Sequence, residues 1–154
     1  MISFILISML QFFLYYTKFL LKNQIIIDMS VRIGNQTFKA EYMTTPEGKI
    51  KGMMGRKTLE GCMVFNMGKG HHSFWMKNCL IPLDIVFVLN GRINRIHPNC
   101  PPADIHQLTP PHYTGIGDHV IEFPAGTCNN WKVGDRVSMY LGTPQNPVES
   151  DFQQ

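Results

Sequence analysis

From Val31 onward, apolar and polar residues alternate over short stretches, the period-two pattern of strands buried on one face. Residues 31–42 read as a hairpin turning at Gly34-Asn35, where glycine and asparagine tolerate the positive φ of tight hairpin turns. Thr45-Pro46-Glu47 then supplies an N-cap, a proline suited to a first turn and an early carboxylate. This predicts one helix near residues 46–58, with Ile50, Met53, Met54 and Leu59 as its apolar side; Gly52 and Gly55 weaken it and keep it short. Further strands are predicted at 62–67, 73–78, 84–89, 92–96, 119–123 and 136–141, with Gly70-His71-His72 as a turn leading into the strand of Trp75. Asn90-Gly91 is the strongest short hairpin signal in the chain. The expected fold is mainly β: a compact sandwich-like or barrel-like domain of short antiparallel strands with one short helix.

Residues 29–141 form a single β-rich domain in this reading, and 142–154 a flexible tail. Between Pro98 and Asp118 lies a stretch with five prolines and little periodicity, longer than an ordinary connection and a candidate binding loop. Ahead of the domain, residues 1–27 are almost wholly apolar, with Lys18 and Lys22 as the only charges. Three explanations stand. The segment is a membrane anchor, since about 20 apolar residues span a bilayer. It is a cleaved export signal, although its start is not basic and no small-residue cleavage site precedes the domain. Or translation starts at Met29, which opens directly into strand-like sequence, and the extension is an artefact of the gene model. A start at Met29 places the domain in the cytoplasm; the other two place it on or across a membrane.

The chain has 154 residues and a net charge of +3, enough length for one self-supporting domain. Beyond residue 28 there remain 12 basic and 10 acidic residues, too balanced and dispersed for a nucleic-acid footprint. Cys62, Cys79, Cys100 and Cys128 form no CxxC pair and read as small buried residues or free thiols. Ten methionines suit an adaptable core or a flexible contact surface.

Four blocks carry a resemblance to a known family. Lys51-Gly52-Met53-Met54-Gly55-Arg56 with Leu59 and then Gly61-Cys62-Met63-Val64-Phe65 form the first; residues 74–87, FWMKNCLIPLDIVF, form the second. Glu122-Phe123-Pro124-Ala125-Gly126 and Val133-Gly134-Asp135-Arg136-Val137 close the series. In order and spacing the chain resembles the family catalogued as domain of unknown function 192, over nearly all of residues 37–137. It departs where Met53 replaces a leucine, Cys62 precedes the methionine and Cys79 replaces a threonine. The resemblance implies a compact, mainly β, sandwich-like fold and no characterised activity.

Within those blocks Arg56, Trp75, Lys77, Asn78 and Asp84 combine a planar donor fork, an aromatic face, a cation, an amide and a carboxylate. Such a set can hold a small polar or anionic ligand. The competing reading pairs Asp84 with Arg56 or spends it on a turn, buries Trp75 and leaves Lys77 solvated. Alternation puts Trp75 and Lys77 on one face and Phe74, Met76 and Asn78 on the other. The expected function is a non-enzymatic accessory module that binds a ligand or protein partner. The alternatives are a small hydrolase or metal-dependent enzyme using Asp84 with Arg56, and an interaction component of a larger assembly. Metal ligation by His71, His72 and Cys62 or Cys79, or by His97, Cys100, His106 and His112, matches no zinc spacing, so no metal or other cofactor is expected. Cys79 as nucleophile and Asp84 with Glu122 as a carboxylate pair both depend on distances in space.

Overall fold

A computed structural model of the protein describes residues 29–103, 106 and 109–141; the apolar segment 1–28 and the tail 142–154 lie outside the described residues. Seven strands form one sheet, β1 (Met29–Ile33), β2 (Gln36–Met43), β3 (Cys62–Trp75), β4 (Leu83–Leu89), β5 (Arg92–Cys100), β6 (His112–Pro124) and β7 (Val137–Leu141), in the spatial order β5-β4-β6-β3-β2-β1-β7. The sheet curls, so that its outermost strands meet at one end: Arg92 bridges to Arg136, and the Val137 N–H donates to the Gly91 carbonyl at 2.8 Å. The architecture is a half-barrel. Among the described residues no helix is long and apolar enough to cross a membrane.

Both predicted hairpins form. Ile33 pairs with Gln36 across Gly34-Asn35, and Leu89 pairs with Arg92 across Asn90 (φ 51°) and Gly91 (φ 68°), the left-handed pair that such a turn demands. Alternation then sorts side chains between two faces. Val31 and Ile33 of β1, Cys62 and Val64 of β3, Val86 and Val88 of β4, and Ile121 and Phe123 of β6 fill the inside of the curl. Met63, Phe65, Leu83, Ile85, Phe87 and Val120 point to the opposite face, where Met53, Leu59, Met76 and Cys79 cover them. Strand β4 is therefore buried on both sides, which is why it reads as an apolar run interrupted only by Asp84.

The stretch between Pro98 and Asp118, expected as a loop, is partly strand, because β5 runs to Cys100 and β6 already begins at His112. Three further details depart from the expectations, each with a local cause. Helix α1 spans only Pro46–Lys51; Thr45 caps it by accepting from the Gly48 N–H at 3.1 Å, and Gly52 at φ 42° ends it. Ile50 consequently faces solvent at 73 % exposure, while Met53 and Leu59 are buried from the loop that follows. Residues 62–75 form one long strand rather than two. The ladder to β6 shifts register between Asn66 and Gly70, where Gly68 at φ 72° accommodates a bulge, and Gly70-His71-His72 continue the pairing instead of turning. Finally, β2 and β3 are parallel in an otherwise antiparallel sheet. A parallel pair needs a crossover, and α1 with residues 52–61 supplies it. That crossover lays α1 beside the end of β3.

Candidate functional site

Strand β3 ends with Phe74 half-buried, Trp75 at 42 % exposure and, just beyond it, Met76 buried and Lys77 exposed, the alternation expected of these positions. Lys77 Nζ lies 5.1 Å from the centre of the Trp75 ring, a cation–π approach, and the His112 ring lies 5.9 Å from it. The crossover faces this strand end across a cleft of about 300 Å³. Its walls are mostly apolar, from Ile50, Met53, Met54, Phe65, Met67 and Phe74, and Lys49, Lys51 and Lys77 line it as well. Trp75 thus stands at the edge of an apolar hollow furnished with three cations.

Glu122 also lines the cleft, and it lies deep. On β6 it is flanked by Met63 of β3 and Ile85 of β4, near the middle of the sheet, and it is only 4 % exposed. Its Oε2 atom has no hydrogen-bond partner among the described residues. Burial pushes its carboxyl up to about 8, so the group is mostly a neutral acid at pH 7. Sequence reasoning weighed Glu122 only as half of a carboxylate pair. The available signal was an acid set inside the apolar run Val120-Ile121-Glu122-Phe123.

The structure brings Trp75 and Lys77 together at the cleft but not Arg56, Asn78 or Asp84. Arg56 grips Glu41 bidentately, with Nη1 and Nη2 each 2.6 Å from a carboxylate oxygen. The hydrogen bond from Arg56 holds the Glu41 carboxyl below its ordinary value. Because both side chains are about one-third exposed, solvent screens the pair, and Arg56→Ala is expected to cost no more than about 1 kcal/mol in urea unfolding. Asn78 adopts φ 57° in the turn after β3, where its carbonyl accepts from the Gly55 N–H at 2.8 Å. Asp84 is fully buried; Oδ1 accepts from the Asn99 N–H and Oδ2 from the Cys128 N–H, both at 2.8 Å. Neighbours in sequence, Asp84 and Ile85 face opposite sides of β4, and Asp84 shares the inner face with Val86 while Glu122 lines the outer cleft. The two carboxyl groups cannot flank a common bond.

The histidines and cysteines are similarly dispersed. His72 Nε2 lies 2.8 Å from the Gly68 carbonyl, His97 Nε2 2.9 Å from the Thr114 carbonyl, and His112 Nδ1 2.9 Å from Ser73 Oγ. His119 sits between Asp118 and the Tyr42 hydroxyl, at 2.8 and 3.0 Å. Among the described residues no three His, Cys, Asp or Glu side chains gather closely enough to hold a metal. All four cysteines are buried, and burial pushes Cys79, which lines the cleft, up to about 11. A second hollow, of about 420 Å³ beside Arg32, Asp135, Arg136, Ser138 and Tyr140, is polar, and among the described residues none of its side chains has a buried polar atom lacking a partner.

Comparisons with known proteins agree with the fold. The family model for DUF192, described as "Uncharacterized ACR", matches residues 29–139. No curated protein matches. The fold is similar to the crystal structure of a protein of unknown function from Novosphingobium aromaticivorans DSM 12444, with a TM-score of 0.61 and 32 % identity over 72 % of this chain and 83 % of that one. It is also similar to a protein from Sinorhizobium meliloti 1021 described as a "putative transcription regulator", with a TM-score of 0.62 and 25 % identity over 72 % of this chain and 91 % of that one.

Proposed function

Since the chain belongs to the DUF192 family, for which no activity is characterised, we propose from the cleft itself that the protein is a binding module for a small amphipathic anion. The observation that carries this reading is an exposed tryptophan, with a lysine ammonium against its ring, at the edge of an apolar-walled hollow of about 300 Å³. That volume is at the lower end of the range of small-molecule sites. Apolar walls reward burial of a ring or alkyl group, and Lys49, Lys51 and Lys77 favour a negative end. Binding suits the site better than hydrolysis does: the Cys79 thiol stays protonated, and Asp84 and Arg56 are committed elsewhere. The near-balance of charge beyond residue 28 favours a small molecule over a nucleic acid, whatever the relative from Sinorhizobium does.

Anilinonaphthalene sulfonate, an aromatic anion, is a suitable probe. It is expected to saturate one site per chain and to quench Trp75, with Trp131→Phe removing the other tryptophan's signal. Trp75→Ala combined with Lys77→Glu should weaken the probe about tenfold, the loss of a stacking contact and of one attractive charge. Unsaturable binding, or binding indifferent to both substitutions in a folded protein, would remove the reading.

A further inference from the structure

The apolar walls and the lysines account for an anionic amphiphile in general, but they leave Glu122 unexplained. A buried polar atom without a partner is destabilising, so Oε2 in an apolar sheet centre asks for a function. We propose that Glu122 is the hydrogen-bond donor in the depth of the cleft, and that the ligand is an organic anion whose inner end carries a carbonyl oxygen, as in a keto, ester or amide acid. The inference rests on reading the cleft as a site for a small anion.

The arrangement orients such a ligand without ambiguity. Its charged end stays with Lys49, Lys51 and Lys77, its apolar body lies along Met53 and Phe74, and its carbonyl reaches the Glu122 O–H. A cationic ligand would suit an ionised Glu122 but would meet three lysines on the way in. Burial keeps the Glu122 proton in place. Cys79, from the turn after β3, and Cys100, from β5, are themselves pushed up to about 11 by burial. The flanking strands present Met63 and Ile85, Asp84 of β4 points to the other face, and the lysines come only from α1 and from Lys77. A neutral carboxyl donates one hydrogen bond to a carbonyl, whereas an ionised one can only accept. Recognition of the carbonyl should therefore fade as pH passes through about 8.

The test compares 4-acetylbenzoate with 4-isopropylbenzoate, which has the same outline and charge but no carbonyl, by calorimetry at about pH 6.5 and about pH 9, either side of the Glu122 transition. The wild-type protein is expected to prefer the acetyl compound at the lower pH and to lose about tenfold of its affinity at the higher, while the isopropyl compound changes little. In Glu122→Gln the amide N–H donates at every pH, so acetyl binding should persist and its pH dependence vanish. Equal affinity for the two compounds, or a wild-type preference indifferent to pH, would overturn the role of Glu122 while leaving the anion site standing. Failure of both compounds to bind would overturn the site and the inference together. Should the glutamine variant not fold, the two-compound comparison in the wild-type protein still decides.

Discussion

Replacing Asp84 with alanine is expected to cost the domain about 3–5 kcal/mol, read as a fall in the urea midpoint with an unchanged slope. The side chain is completely buried on β4, and its two oxygens accept the N–H groups of Asn99, at the end of β5, and of Cys128, in the turn after β6. Asn99 sits at φ 50°, an unusual conformation for a residue other than glycine, and its bond to Asp84 helps hold it there. Alanine leaves two N–H groups without an acceptor, that of Cys128 in a buried position and that of Asn99 in a partly buried one. The substitution Asp84→Asn keeps the shape and one acceptor but turns an NH₂ toward the other N–H, so an intermediate loss of about 2 kcal/mol is expected. Binding of the naphthalene sulfonate by the folded fraction should not change, because Asp84 and the cleft occupy opposite faces of the sheet. A loss of binding with stability preserved would instead return Asp84 to the ligand site.

Asp84 also marks the limit of what local sequence can convey. Its place in the second motif block made it a site candidate, and only the fold reveals that its partners come from Asn99 and Cys128. Arg56 is the same kind of case: Glu41, its partner, lies 15 positions earlier on a strand that alternation identified without saying what faced it. Hairpins were legible because their cause is local. Gly34-Asn35 and Asn90-Gly91 carry the turn chemistry, and alternation on either side carries the register. The cleft was not, because it depends on the parallel pairing of β2 with β3, which brings α1 across to the end of β3. Only its Trp75–Lys77 edge could be placed, from the period-two alternation alone. The stretch Gly70 to His72 misleads for a physical reason too. Gly70 there suggests a turn, yet Gly70 and His72 pair with β6 opposite Gly117 and Gly115, and His72 reaches the carbonyls of Gly68 and Gly117.

Glu122→Leu is expected to stabilise the domain, and to do so increasingly as pH rises. In the folded protein burial raises the Glu122 carboxyl from 4.5 to about 8, whereas the unfolded chain releases the proton at its ordinary value. Below about 4.5 both states hold the proton and the contribution is flat. Between 4.5 and about 8 the unfolded chain has lost a proton that the folded one retains, so wild-type stability falls as pH rises; above about 8 it levels off. A shift of this size corresponds to a few kcal/mol, up to about 4–5, all of which leucine removes. Even at low pH leucine also removes a polar atom without a partner, worth on the order of 1–3 kcal/mol. The Glu41 carboxyl titrates in the opposite sense, its stabilisation being lost as pH falls through its lowered value, but it is common to both proteins and cancels in their difference. Urea midpoints of the two proteins at about pH 4 and about pH 9 measure that difference at both plateaus. A difference that stays constant with pH would mean that Glu122 ionises normally in the folded domain, and the donor on which carbonyl recognition depends would be gone. A growing difference would mean that the sheet carries a destabilising acid at its centre, next to an open cleft, and ligand binding is the compensation that position offers.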